Sequence, residues 1–363
     1  MTRVAVVGAG VMGCAAAWAL TERGADVTLI EQFALEHDRG SSHGRSRIVR
    51  LAYPDPFWVR FAAEAMAGWR ELESQSGAEL LGLYGLVELA ASEELGSAAS
   101  LADSGAGYRR LDGAAARELG VALPAGWTAL YQPEAGIVRA DLARRAFLDI
   151  ARGRGAGVIT GKRVESLDQV EADVVVVTAG AWVRALVPDL PVRVTRETVA
   201  YFRAEGPPLP SVVELDETTR GHALYALHDP VVGLKAGAHH AGAEADPDAA
   251  AVPDPELVGR IAAWVRERLP DVDPKPVAAD TCLYTTTADE QFILERRGRV
   301  VIGSACSGHG FKFAPAVGRR LAAIALEKRL YPVVTFATGP AYGLRPRCVG
   351  RTNVPTMLGG TTR

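Results

Sequence analysis

The chain opens on a run with no polar position, Val4-Ala5-Val6-Val7, followed by spaced glycines and then by a mostly apolar stretch from Val11 to about Arg23. A short continuous apolar run predicts a strand buried on both faces. The longer stretch predicts a helix, with Gly24 as its C-terminal cap. Val27-Thr28-Leu29-Ile30 reads as a second strand, and Glu31 ends it. Asp55-Pro56 is a helix start, a capping acid followed by proline at the first helical position. Behind it Trp58, Phe61, Ala62, Ala65, Trp69 and Leu72 recur at helical spacing, a stripe that predicts core. Gly82 to Ala90 reads as a strand, Arg139 to Arg152 as a helix, and Val158 to Thr160 and Val174 to Val177 as further strands.

Between about 192 and 240 the pattern changes. Val192 to Phe202 alternates in part, which predicts antiparallel strands with one solvated face. Residues 241–256, rich in Ala, Asp and Pro, predict a surface loop, and Glu256 to Arg268 an amphipathic helix. After Cys282 the first pattern returns, with a strand at Val300 to Gly303 and a helix carrying Val317, Leu321 and Ile324 on one face. The expected class is α/β plus antiparallel β. A discontinuous Rossmann-like domain would take residues 1–80, 136–191 and 289–330. An inserted antiparallel-sheet substrate domain would take 81–135 and 192–288. Residues 331–363, rich in Gly, Pro, Thr and Arg, predict a loosely docked or mobile tail.

Gly8, Gly10 and Gly13 stand in G-x-G-x-x-G spacing between the first strand and the first helix. Gly8 permits the tight turn, Gly10 lets backbone approach a pyrophosphate, and Gly13 lets helix and strand pack closely. The helix N-terminus, beginning at Val11 and Met12, turns unpaired N–H groups and a positive dipole end toward the phosphates. Glu31 is placed to accept from a ribose 2′-hydroxyl and would repel a 2′-phosphate, which disfavours NADP. Interleaved segments favour FAD over NAD, because NAD dehydrogenases usually keep this unit contiguous; the step is an analogy between folds.

Bulk properties narrow the field. The net charge of −3 gives no reason to expect nucleic acid or an anionic membrane as partner. No apolar stretch is long enough to span a bilayer, and the N-terminal run lacks a signal-peptide layout, so a cytoplasmic location is expected. The four cysteines (Cys14, Cys282, Cys306, Cys348) form no C-x-x-C pair, which argues against zinc and against a disulfide framework.

The segment Gly-Ser-Ser-His-Gly-Arg-Ser-Arg-Ile-Val-Arg at 40–50 adds a histidine and three arginines. Arg47 and Arg50 are three residues apart, so one helical turn would put both on one face. Further motifs are Thr-Ala-Gly-Ala-Trp at 178–182, Gly-Leu-Lys at 233–235, Cys-Leu-Tyr-Thr at 282–285 and Ser-Gly-His-Gly-Phe-Lys-Phe at 307–313. In these motifs and their order the chain resembles the monomeric sarcosine oxidase and N-methyltryptophan oxidase family of D-amino-acid-oxidase-like flavoproteins, from about residue 3 to about 330.

The resemblance implies FAD attached covalently by a thioether from Cys282 to the 8-methyl group. A lone cysteine otherwise reads as a small buried hydrophobe, and Cys14, Cys306 and Cys348 are read so, with a cofactor-side contact left open for Cys306. It implies that Arg50 and Lys312 bind a substrate carboxylate, for which guanidinium and ammonium groups are suited. Arg47 and His43 would lie near the ring, and Arg45 on the surface. Lys235 would promote electron transfer to dioxygen, since a fixed cation favours charge developing on oxygen. His239 matches the family's active-site histidine, and His240 has no counterpart. Tyr225 and Tyr284 would line the substrate cavity. The remaining cofactor contacts would come from Ser42, Ala179, Gly180, Trp182, Gly308, Gly310 and Phe311.

The implied reaction is oxidation of the C–N bond of a secondary amine or imino acid bearing a carboxylate, with dioxygen as acceptor and an imine and hydrogen peroxide as products. Two alternatives stay open: a cyclic imino acid of pipecolate, proline or piperideine-carboxylate type, and a dehydrogenase passing electrons elsewhere. A shortened stretch around 204–232 puts sarcosine itself in doubt. Family members often act as monomers, and a monomer is the expectation here.

Overall fold

The computed structural model describes residues 1–91, 96–215 and 221–327. The tail 331–363, with Cys348, lies outside them.

The first apolar run is the strand Arg3–Val7, and it sits inside a six-stranded sheet. In spatial order that sheet runs Ile293–Arg297, Val300–Ser304, Val174–Val177, Arg3–Val7, Asp26–Ile30 and Gly157–Ile159. All pairings are parallel except that of the edge strand Ile293–Arg297. Val174–Val177 is buried along its whole length, which is why four valines in a row are tolerated there.

The helix Val11–Glu22 is buried on nearly every side, which explains its run of alanines around Trp18. The helices Ala140–Gly153 and Ala314–Leu326 pack against it. A Cβ on Gly318 would lie 2.4 Å from the Ala15 carbonyl oxygen, so the helix crossing is set by a missing side chain. The helix Pro56–Ser76 starts as expected, with Asp55 accepting from the Phe57 N–H at 2.7 Å. It stops at Gly77, whose φ of 70° suits the left-handed cap. Its whole predicted stripe is buried.

The second layer is an eight-stranded sheet, in spatial order Pro276–Thr287, Val192–Arg203, Gly233–Ala238, Leu224–Asp229, Ser211–Glu214, Leu86–Ala90, Thr128–Gln132 and Arg109–Leu111. Its pairings are antiparallel apart from Ser211–Glu214 with Leu86–Ala90. The helix Pro255–Arg268 covers one face through Ile261, Trp264 and Val265. The expected α/β plus antiparallel class is therefore present, with the parallel sheet drawn from segments far apart in sequence.

Two details differ from expectation. Gly82 to Ala90 is not one strand. Leu81–Gly82 pairs with Gly136–Arg139 in a small third sheet, and Leu86–Ala90 joins the large one. The break falls at Gly85, whose φ of 90° lets the chain change sheets. The third sheet is completed by Ser46–Val49, where no strand was expected. That strand decides the geometry of the arginines.

Candidate functional site

A cavity of about 250 Å³ runs between the two large sheets. At one end it is floored by the glycine turn. Gly8 has a φ of 99°, and a Cβ there would meet the Thr178 carbonyl oxygen at 2.6 Å. A Cβ on Gly13 would lie 1.8 Å from the Gly8 oxygen. Gly13 is the one predicted cofactor residue that does not line the cavity; it holds the helix close to the turn. Gly10, Val11, Met12, Ala179, Gly180 and Trp182 all line it. The Val11 N–H donates to Ser42 Oγ at 2.9 Å, so the loop after Gly40 lies across the helix start.

Glu31 is buried in the same end. Its carboxylate accepts from the Ala9 N–H at 2.7 Å and the Phe33 N–H at 3.0 Å. Lys162 and Arg163 also line this end and were not anticipated; isolated basic residues in a loop carry no pattern. Bare glycine backbone, a helix N-terminus, a buried acid and nearby cations together fit the phosphates and ribose of FAD.

The middle of the cavity is walled by the 40–50 segment. Ser46–Val49 is a strand, so Arg47 and Arg50 do not share a helical face; the ladder to Gly136–Arg139 and the β-branched Ile48-Val49 pair favour the extended form. Both arginines line the cavity nevertheless. Arg47 donates to the carbonyls of Ser41 (2.9 Å), His43 (2.7 Å) and Ser46 (2.9 Å), which fixes the loop around its own guanidinium. His43 is held between the Gly40 carbonyl at 2.6 Å and Asp280 at 3.4 Å. Arg45 pairs with the buried Asp229 at 3.0 Å and does not line the cavity.

Lys235 projects from the strand Gly233–Ala238, which pairs Lys235 with Tyr201. It is buried, and burial followed by the charge of Arg47 pushes its ammonium down to about 7. Cys282 lines the cavity from the strand Pro276–Thr287, its Sγ 3.8 Å from the Ser41 carbonyl oxygen. Cys306 lines it too; burial pushes its thiol up, and its Sγ accepts the Thr285 N–H at 3.5 Å. Cys14 is fully buried, as a packing residue.

The far end gathers Arg50, Lys312, His239, Tyr225 and Tyr284 from five separate segments. Arg50 Cζ stands 4.6 Å from the centre of the Tyr53 ring, and Lys312 Nζ stands 5.6 Å from the same ring. Behind Arg50 is Glu88, 3.9 Å away, with both side chains 3% exposed. Burial raises the Glu88 carboxyl, and Ser97 donates to it at 2.7 Å. Glu88 was missed by sequence reasoning; the signal was a lone acid inside the apolar run Leu86-Val87-Glu88-Leu89.

Burial holds the Lys312 ammonium well below its usual range, and the Arg50 charge adds to this. Its Nζ donates to the His309 carbonyl at 2.9 Å. Burial likewise keeps His239 neutral, and His239 Nδ1 lies 3.4 Å from the Tyr284 hydroxyl. Gly308 fits because a Cβ there would strike His239 at 2.4 Å and Tyr284 at 2.6 Å. Among the described residues, the non-glycine residues with positive φ are His240 (54°), Glu290 (59°) and Ser307 (39°). All three border this end: His240 meets Glu290 at 3.4 Å, and Ser307 precedes Gly308.

No helix among the described residues is long and apolar enough to cross a membrane. The chain is 33% identical to the human peroxisomal sarcosine oxidase over 380 residues, covering 95% of each protein. It is 29% identical to the N-methyl-L-tryptophan oxidase of Yersinia pestis, covering 89% of this chain and 94% of that one. Among solved structures it is similar to NikD, described as an unusual amino acid oxidase essential for nikkomycin biosynthesis, with a TM-score of 0.80, 25% identity, and coverage of 95% and 99%. L-proline dehydrogenase from P. horikoshii shares the fold at a TM-score of 0.78 and 20% identity, covering 90% and 93%. The DAO family pattern, described as FAD dependent oxidoreductase, matches residues 3–324, from the first strand to the last described helix, and the chain belongs to that family.

Proposed function

We propose that the protein oxidises the C–N bond of a secondary amine or imino acid that carries a carboxylate, giving an imine and, with dioxygen as acceptor, hydrogen peroxide. The observation that carries this reading is the pairing of Arg50 and Lys312 at a buried cavity end. Two buried basic side chains with a single acid, Glu88, beside Arg50 form a site for one more anion. Bound FAD supplies the two-electron acceptor. Arg50 and Lys312 hold the carboxylate, and through it the neighbouring C–H and nitrogen. Tyr225, Tyr284 and the neutral His239 shape the wall without adding charge. Lys235 and Arg47 supply positive charge where electrons pass to oxygen. Residues 1–80, 136–191 and 289–330 would serve the cofactor, and 81–135 and 192–288 the substrate.

Cys282 is the proposed point of covalent flavin attachment. Its rival Cys306 also lines the cavity, but its thiol is pushed up and its sulfur accepts an N–H, as suits packing. Flavin that stays with the denatured wild-type and Cys306→Ala proteins but leaves Cys282→Ala would support this; retention in Cys282→Ala would refute it. A monomer in the cytoplasm, with no nucleic-acid or membrane partner, completes the proposal.

One observation favours a cyclic or otherwise bulky imino acid over a glycine-sized one. Apart from Tyr225 and Lys235, the stretch between 192 and 240 lines the cavity with Val199, Val213, Leu215, Ala223, Leu224, Leu227 and the neutral His239. Such walls reward a hydrocarbon skeleton. The deciding experiment is an anaerobic titration with N-methyl amino acids and cyclic imino acids, following the visible flavin band. Bleaching by a member of either class supports the reaction and selects the substrate class. Recovery on readmitting air identifies an oxidase, and its absence a dehydrogenase. An unbleached flavin with every member of both classes would overturn the assignment.

A further inference from the structure

Lys312 is an unusual anion ligand. Its Nζ is enclosed by the rings of Tyr53 and Phe313, each 5.6 Å away, and bonds to one backbone carbonyl. Among the described residues it has no carboxylate partner; the nearby acid, Glu88, stands against Arg50. The charged and titratable groups around it are Arg50 at the end of the small sheet, Glu88 behind Arg50, Tyr53, His309 on its own loop, and His239 with His240 from the large sheet. The helix Pro56–Ser76 faces it with Trp69, whose Nε1 donates to the Lys312 carbonyl. Glu88 can balance one cation, and Arg50, which keeps its proton in any protein environment, takes that balance. The second cation has nothing to offset its desolvation until an anion enters.

We propose that Lys312 is a neutral amine in the substrate-free protein and takes the proton from the substrate's own ammonium group as the zwitterion binds. The inference rests on the carboxylate site proposed above. In the step, the N–H bond of the substrate ammonium breaks and its electron pair stays on nitrogen. The proton bonds to the lone pair of Lys312 Nζ, directly or through one water. Total charge is conserved and nothing is oxidised or reduced. One transfer completes two requirements: the substrate becomes the neutral amine that oxidation requires, and the lysine becomes the cation that holds its carboxylate. No further base is needed, which agrees with the neutral, buried His239.

The test compares two ligands of one shape at pH 8. Cyclopentanecarboxylate has a carboxylate and no amine. 1-Aminocyclopentanecarboxylate has both and no oxidisable α C–H. Calorimetry in buffers of different ionisation enthalpy counts protons. Uptake of about one proton is expected with the first ligand and about none with the second, which brings its own. Lys312→Arg, permanently charged, should bind the first ligand with no uptake. Its flavin-reduction rate with a true substrate should climb toward about pH 10, where a free alkylammonium deprotonates, whereas the wild-type rate levels off at lower pH. Binding without proton uptake in the wild type would overturn the inference and leave the carboxylate site standing. Unchanged uptake in Lys312→Arg would overturn it as well. Failure of both ligands to bind would remove the site itself, and the inference with it.

Discussion

The two ends of the cavity are built on opposite principles. The dinucleotide end is built around local backbone: a strand, a turn of glycines and a helix start within residues 3–31, with Glu31 beside them and residues 178–182 opposite. Its specificity lies in what is absent, the Cβ atoms that Gly8, Gly10 and Gly13 lack. The far end, proposed above to hold the substrate, is made of side chains from five segments, held together by the packing of two sheets and a long helix. What marks it is a pair of buried basic side chains, Arg50 and Lys312, that share one acid, Glu88. The first kind of site tolerates no added atom at its turn, and its charges (Glu31, Lys162 and Arg163) act around that fixed backbone. The second depends on charge balance and so on pH.

The largest effect should come from breaking the first end. Gly13→Val would drive a side chain into the Gly8 carbonyl, and the expected outcome is protein without flavin, destabilised by about 3 kcal/mol or more; flavin content and thermal unfolding report it. Near-normal flavin loading would mean the turn can yield. Next, Lys235→Met should slow reoxidation of the reduced protein by about 100-fold while sparing anaerobic reduction. Equal loss in both half-reactions, seen by stopped flow, would remove its assigned role. Arg50→Ala should weaken carboxylate ligands by about 2–3 kcal/mol and leave flavin bound. Unchanged affinity would place the anion elsewhere.

A pH profile then sharpens the contrast. Lys235, pushed down to about 7, is charged below that pH and neutral above it. Reoxidation should therefore rise as pH falls through about 7, and the rise should vanish in Lys235→Met. The smallest effect concerns the outer rim, where Asp248 accepts from Trp182 Nε1 at 2.8 Å and Arg163 at 3.1 Å. Asp248 and Arg163 are largely exposed, so Asp248→Ala should cost under about 1 kcal/mol. A large loss of stability would show that the 241–256 loop is a structural clamp.

The same contrast explains what could be read from the sequence. Val4–Val7, the glycine turn and Asp55-Pro56 are local signals, and each gave the element it predicted. The split at Gly85 and the strand Ser46–Val49 depend on the partner Gly136–Arg139, about 90 residues from the latter, and no local pattern encodes that pairing. Arg50, Lys312, Lys235 and His239 were legible only through family motifs. Glu88, Tyr53 and the enclosure of Lys312 were not, because they arise where two sheets meet.

The left-handed trio His240, Glu290 and Ser307 has a consequence for anyone who would engineer this protein. Each non-glycine residue in that conformation costs on the order of 1–2 kcal/mol. A selection for heat resistance alone would find glycine or asparagine at these positions early, since the gain is immediate. It would also slacken the wall behind His239 and Tyr284. Screens for hardier variants should therefore score turnover from the first round, because these three strained positions sit next to residues that line the cavity.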